Sequence, residues 1–347
     1  MRKLKNSTIV CSVAASMLFA SQSVLAAGEL NIFNWGDYTN PDLITKFEQT
    51  YDVKVTLTDY DSNDTALAKV KAGGHGFDIA VPSANYMPIW INDGLLLETR
   101  PDQMSNFINV KDEWTNPDWD PGRHYSAPWL WGSVGMVVNT DVYSGDINTS
   151  AIFLDPPEEL AGTINVAPEM GDIIGMALYY VGSEPCTSDI GYLKKARDVL
   201  MAAKPKWISM NYSINEPFAN GDISASVYWN GDAMRTRLEI PAVQYGFPKE
   251  GFVLWMDSVV VLKDAKNVDN AKLFQNFMMD PENAALASNF AMYANAVNGS
   301  EPFMDDVLAT APEVQIPAEH IVNGRFIEMC SPEVNKIYSS IWTEIMK

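Results

Sequence analysis

The chain predicts an α/β fold built on largely parallel sheets, in two successive α/β units. Three observations carry this expectation. Strand-like and helix-like patterns alternate from Leu30 onward, a second alternating series begins after Asn139, and no internal repeat or low-complexity linker interrupts either. Such alternation places helices over a parallel sheet. At 347 residues, with 47% apolar and 20% charged residues, the chain has the composition of a folded protein and room for two domains.

Leu30 to Trp35 reads as the first strand, and Pro41 to Thr50 carries Leu43, Ile44 and Phe47 at helical spacing. Val53 to Leu57 alternates as a second strand, Thr65 to Lys71 is a short helix, and Asp78 to Val81 is a compact buried strand ending at Pro82. Trp35-Gly36-Asp37-Tyr38 and Ser83-Ala84-Asn85-Tyr86 each follow a strand directly. Both therefore belong at the carboxyl edge of the sheet, where such folds bind ligands. In the second unit, Thr163 to Val166 and Ile223 to Trp229 are strands, with helices from about Pro168 to Val181 and around Tyr192 to Ala203. Val253 to Leu262 is again strand-like, and Ala271 to Met279 and Glu282 to Phe290 are helical.

The N-terminus has the form of an export signal. Arg2, Lys3 and Lys5 precede a mostly apolar run from Ile9 to Ala20, and small residues at Ala26-Ala27 offer a cleavage point. The run is too short for a membrane span; the alternative is an uncleaved interfacial helix. Residues 1–26 are thus expected to be removed, and Cys11 lies too early for a lipid anchor.

Charge and motifs exclude more than they assign. With 24 Lys+Arg against 44 Asp+Glu, the net charge of −20 argues against nucleic acid or an anionic membrane as partner and is compatible with cationic ligands. Only His75, His124 and His320 are available for metal or acid–base work, and no metal, nucleophile-elbow or phosphate-loop pattern occurs. Gly73-Gly74-His75-Gly76 reads as a loop between helix and strand. Cys186 and Cys330 survive processing, and an oxidising compartment permits them to pair or to remain separate thiols. Neither sits beside a basic cluster that would activate it.

Four segments together resemble the bacterial periplasmic spermidine/putrescine-binding proteins that serve polyamine ABC transporters. They are Phe33-Asn34-Trp35-Gly36-Asp37-Tyr38, Phe77-Asp78-Ile79-Ala80-Val81-Pro82-Ser83, Tyr228-Trp229-Asn230-Gly231-Asp232-Ala233, and Pro248-Lys249-Glu250-Gly251 leading to Leu254-Trp255-Met256-Asp257-Ser258. The resemblance implies a two-lobed periplasmic-binding-protein fold, each lobe a mainly parallel sheet with flanking helices and the ligand cleft between them. It implies residues 27–135 with about 258–310 in the first lobe, and 136–257 with about 311–347 in the second. Crossovers are expected near Val134–Asn139 and Asp257–Val261.

A polyamine is a flexible hydrocarbon carrying two or more ammonium groups. Its recognition needs carboxylates for the charges and aromatic faces along the methylenes, each cation–π contact contributing roughly 0.5–2 kcal/mol. Trp35, Asp37 and Tyr38, Trp229 with Asp232, and Trp255 with Asp257 place rings and acids side by side. In the strand holding the last pair, positions 255 and 257 share one face. Ser83 and Tyr293 complete the first-lobe contribution. Glu169 and Asp172 begin a helix after Pro168, where acids also favour the helix dipole without any ligand; the resemblance implies that this helix start supplies acidic ligands.

For an isolated tryptophan the core is the default reading. Trp114, Trp119, Trp129 and Trp131 are therefore left as structural or rim residues, and Trp342 is expected to matter for stability rather than binding. Some positions depart from the resemblance. Asn85 stands where spermidine-type members often carry an aromatic, and Ile327 stands where a polar contact residue follows Asn323-Gly324-Arg325-Phe326. Asp232 and Tyr293-Ala294-Asn295-Ala296 lean to putrescine-type members, Trp255-Met256-Asp257 to spermidine-type ones. The expected function is polyamine capture by lobe closure and delivery to an inner-membrane ABC transporter permease, by a monomer without cofactor or metal. The alternatives are a periplasmic polyamine sensor signalling to a membrane receptor and, from another class, a secreted amine- or amide-processing enzyme.

Overall fold

The computed structural model describes residues 28–326 and 329–347. The expected signal segment and Ile327 lie outside these residues. Strand β1 (Gly28–Trp35), helix α1 (Pro41–Tyr51), strand β2 (Val53–Tyr60), helix α2 (Asn63–Lys71) and strand β3 (Ile79–Ala80) follow in the predicted order, and a helix not predicted from the sequence, α3 (Met87–Asn92), comes next. β1 pairs in parallel with both β2 and β3. The helices start where capping chemistry dictates. Asn40 accepts the Asp42 N–H ahead of α1, with Pro41 in its first turn, and Ser62 accepts the Thr65 N–H ahead of α2. The glycine-rich segment 73–76 forms the loop between α2 and β3.

The second unit runs through β4 (Ser126–Asn139), α4 (Ala151–Leu154), β5 (Ile164–Val166), α5 (Met170–Tyr180), α6 (Ile190–Ala203), β6 (Trp207–Met210), α7 (Asn215–Asn220), β7 (Ala225–Trp229), α8 (Asn230–Glu239) and β8 (Val243–Gly246). Here β5 lies in parallel between β6 and β7. The chain returns along β9 (Phe252–Val261), α9 (Val268–Met278), α10 (Pro281–Ala291) and β10 (Ala294–Asn295). It ends through α11 (Asp306–Ala309), α12 (Ala318–Ile321), β11 (Gly324–Phe326) and α13 (Pro332–Ile345).

All strands join one 11-stranded sheet whose spine is β2-β1-β3-β9-β4-β7-β5-β6. The long strands β4 and β9 pair antiparallel at its centre, so the sheet is mixed there and parallel toward both ends. In the first half, alternate residues of each strand enter opposite, equally dry layers. Ile32, Ile79, Val259 and Val261 face one core, and Phe33, Ala80, Val260 and Leu262 the other. In the second half, Val134, Met136 and Val138 face one layer and Val137 the other.

β4 and β9 each pass from one core to the other. On β4, Trp129 and Leu130 pack in the first core and Val134 in the second; on β9, Val253 packs in the second and Met256 in the first. Between these points Trp131, Gly132 and Ser133 pair with Met256, Trp255 and Leu254. The hand-over on each strand lies a few residues before the crossovers expected at Val134–Asn139 and Asp257–Val261. Gly132 is required at this point, since a Cβ there would overlap the Trp255 ring and the Asn230 side chain.

Cys186 and Cys330 form a disulfide with Cα atoms 4.8 Å apart, resolving the choice that the sequence left open. It ties the segment before α6 to the segment before α13, and the Tyr338 hydroxyl on α13 accepts the Cys186 N–H at 2.9 Å. Among the described residues no helix is long and apolar enough to cross a membrane.

Candidate ligand-binding cleft

The ends of β1, β2 and β3 on one side and of β5 and β7 on the other, with the middle of β9 between them, open on a cleft of about 950 Å³. Every residue singled out from the sequence lies on its wall: Trp35, Asp37, Tyr38, Ser83, Glu169, Asp172, Trp229, Asp232, Trp255, Asp257 and Tyr293. Trp114, Trp119, Trp129 and Trp131 do not line it. Trp129 and Trp114 are buried in the first core, and Trp119 and Trp131 pack beside them. Trp342, expected to be structural, does line the cleft, from α13.

Asp257 sits on β9 at the junction of the two cores and is 5% exposed. Ser83, just after β3, donates its hydroxyl to Asp257 Oδ1 at 2.6 Å, and Asn63 at the start of α2 donates to the Ser83 oxygen at 3.0 Å. Burial pushes the Asp257 carboxyl up to about 7, opposed by the Ser83 and Tyr38 hydroxyls that favour its ionised form. The buried Tyr38 hydroxyl faces this carboxylate from the first lobe. Asp37, in a left-handed conformation with φ 52°, turns the chain so that Tyr38 enters the cleft while Asp37 stays exposed.

A second acidic centre stands at the start of α5. Tyr212 donates to Glu169 at 2.7 Å, and Asp172 lies beside it, both half-buried. Burial raises Glu169 to about 7, with Asp61 and Asp64 across the cleft adding to the shift. Burial and repulsion by Glu169 raise Asp172 to about 8, with the Trp229 indole opposing. Asp232 differs from these acids: Arg235 binds it at 2.8 Å, and the Tyr293 hydroxyl donates to its other oxygen at 3.0 Å.

Aromatic rings join the two centres. Trp255 meets Tyr293 edge to face at 4.8 Å, and Tyr293 meets Tyr38 at 6.0 Å. Tyr212 lies parallel to Trp229 at 6.1 Å. Trp35 and Tyr60 both donate to the Val81 carbonyl, at 3.0 and 2.6 Å, which fixes the Trp35 ring at the cleft wall.

Sequence reasoning missed Asp61, Asn63 and Asp64, which follow β2 and line the cleft. The rule that found Trp35 and Ser83, residues directly after a strand, applies equally to them. It also missed Tyr212 and Arg235, while Tyr86, placed at the ligand-binding edge with Ser83 but not assigned to the site, lines the cleft too. Tyr86 is held by Asp64 at 2.8 Å, and no local pattern marks Tyr212. Arg235 stands three residues after Asp232 on one helix, a spacing that could have been read. Among the described residues, no group of His, Cys, Asp and Glu is arranged to hold a metal.

A two-lobed α/β molecule whose lobes share two crossing strands and enclose an acidic, aromatic cleft is built as a solute-binding protein. Residues 42–316 match the family of bacterial extracellular solute-binding proteins, and the chain belongs to that family. It is 26% identical over 368 residues to a putrescine-binding periplasmic protein of Escherichia coli, with 96% of each chain covered. It is 30% identical over 320 residues to a spermidine/putrescine-binding periplasmic protein of Salmonella typhimurium, covering 90% of this chain and 91% of that relative. Among solved structures it is similar to a Listeria monocytogenes protein assigned to a spermidine/putrescine ABC transporter. That likeness has 28% identity and a TM-score of 0.85, over 92% of this chain and 98% of the other.

Proposed function

We propose that the protein captures a polyamine outside the cytoplasm and passes it to a membrane ABC transporter. The observation that carries this reading is the pair of carboxylate centres, Asp257 and Glu169/Asp172, each served by hydroxyl or indole donors and, among the described residues, neither by a protein cation. Leaving such acids enclosed without a counter-charge is unfavourable, which their raised pKa values express. A ligand with separated ammonium groups would relieve both at once. Trp35, Trp229, Trp255 and Tyr293 supply ring surface for the methylenes between the charges, and the Tyr38 hydroxyl supplies an acceptor for an ammonium N–H. Asp37, at the exposed edge, would meet the ligand on entry, whereas Asp232 acts through Tyr293. The functions of the relatives, and the export signal read at the N-terminus, support the same assignment and an extracytoplasmic location.

Calorimetric titration with an alkylamine and the diamine of equal length tests the reading. The diamine should bind at least a hundredfold more tightly, because a monoamine leaves one centre enclosed and unpaired. Equal affinities would sink the proposal.

A further inference from the structure

Among the described residues, Arg235 is the one basic side chain on a cleft wall otherwise rich in carboxylates and tyrosines. It lies one helical turn after Asp232 on α8, so helix geometry brings the two together. One guanidinium nitrogen donates to Asp232 Oδ1 at 2.8 Å and another to the Ala291 carbonyl at the end of α10, also at 2.8 Å. Tyr293 occupies Asp232 Oδ2. Both carboxylate oxygens are committed, and the two side chains are only 28% and 27% exposed, so water and salt screen the pair less than a surface ion pair. Asp257 and Glu169 receive neutral donors alone.

We infer that Arg235 sets the number of charges the ligand carries: it stands as a built-in cation where a third ammonium would meet Asp232, so the cleft selects diamines over triamines. A third ammonium arriving there meets a carboxylate already neutralised and a guanidinium of its own sign. It loses hydration without compensation. Removing the guanidinium exposes Asp232 as a third anionic contact beside the Tyr293 and Trp229 rings. The inference rests on the polyamine reading and deepens it.

The test is calorimetric titration of 1,4-diaminobutane and spermidine into the wild type, R235Q, R235K and the double variant D232N/R235Q at one ionic strength, with melting temperatures recorded. The wild type should prefer the diamine. R235Q should raise spermidine affinity relative to the diamine by tenfold or more, R235K should keep the wild-type ratio, and the double variant should lose the gain. The double variant leaves no unpaired ion, and a spermidine gain over the wild type that appears in it overturns the inference, because Asp232 could not be its source. A wild type that prefers spermidine, or an R235Q ratio equal to the wild type's, overturns the inference while leaving the polyamine reading intact. A wild type that binds neither amine overturns both.

Discussion

Replacing Asp257 with Asn keeps the shape of the side chain while removing the charge that an enclosed ammonium needs. Ser83 can still bond the amide oxygen, so the fold should tolerate the change; relieved of a buried carboxylate, the ligand-free protein should melt no lower than the wild type. Diamine affinity should fall by about 2–5 kcal/mol, the range for breaking a desolvated charge pair. Near-wild-type affinity in a folded variant would place the site elsewhere. The acids of the cleft also make binding depend on pH, with a sign that can be worked out. Asp257, Glu169 and Asp172 hold protons more tightly in the empty folded protein than ordinary carboxyls do. Between about pH 4 and 8 the native state therefore binds more protons than the unfolded one, and their contribution makes ligand-free stability fall as pH rises through that window. A bound diamine needs these groups ionised, so affinity should climb from pH 5 to 8 and then level off. Calorimetry at pH 7 in two buffers of different ionisation enthalpy should register protons released on binding. Identical heats in both buffers would contradict the assignment.

At the scale of elements, the alternation of β9 was legible because its apolar run is β-branched and unbroken from Val259 to Val261, and with it the shared face of Trp255 and Asp257. The first half of β4 was not, since Pro128, the bulky Trp129 and Trp131, and Gly132 interrupt any strand pattern, and its pairing with β9 shifts register between Pro128 and Trp131. The start of α8 shows why packing outranks propensity here. Gly231 lies in its first turn, where alanine would ordinarily favour the helix by up to about 1 kcal/mol. A Cβ there would overlap the Tyr293 ring, and forcing atoms into a packed site costs about 1–3 kcal/mol. Gly231→Ala should therefore lower the melting temperature and displace Tyr293, weakening diamine binding; a stabilised variant with intact affinity would show that the ring yields freely. The disulfide acts at the same scale. It closes a loop of 144 residues and holds α13, which forms part of the cleft wall, against the second core. The Cys186→Ser/Cys330→Ser variant should lose about 2–4 kcal/mol of stability, read by denaturant unfolding. An unchanged midpoint would show that α13 packing alone suffices.

For the whole molecule, the two α/β units and their order were legible from periodicity, whereas the mixed central sheet and the position of the hand-over depend on pairings between residues more than a hundred apart in sequence. The same distance explains why the opposing acids of the cleft were only half visible. Glu169 and Asp172 stand at a helix start in the second unit, Asp61 and Asp64 after a strand in the first, and only folding sets them across one gap. Their influence reaches across it: burial raises Glu169 and the first-lobe acids add to that shift, while burial and the adjacent Asp64 raise the Tyr86 hydroxyl on the far lip, with Glu169 and Asp172 adding. Charges of one sign on two lips favour the open arrangement, and an ammonium between them turns the repulsion into attraction on both sides. Ligand contacts that exist only when the lobes approach are what shift such an equilibrium. A diamine should therefore produce compaction in small-angle scattering, while an alkylamine, able to satisfy one centre only, should leave the radius of gyration at its ligand-free value. Neutralising one lip in the Asp61→Asn/Asp64→Asn variant should make the ligand-free protein more compact and less sensitive to salt, since the Debye length of about 8 Å at physiological ionic strength already screens part of the repulsion. If a saturating diamine leaves the scattering curve of the wild type unchanged, charge bridging between the lips does not drive closure, and the ligand binds to a cleft whose width it does not alter.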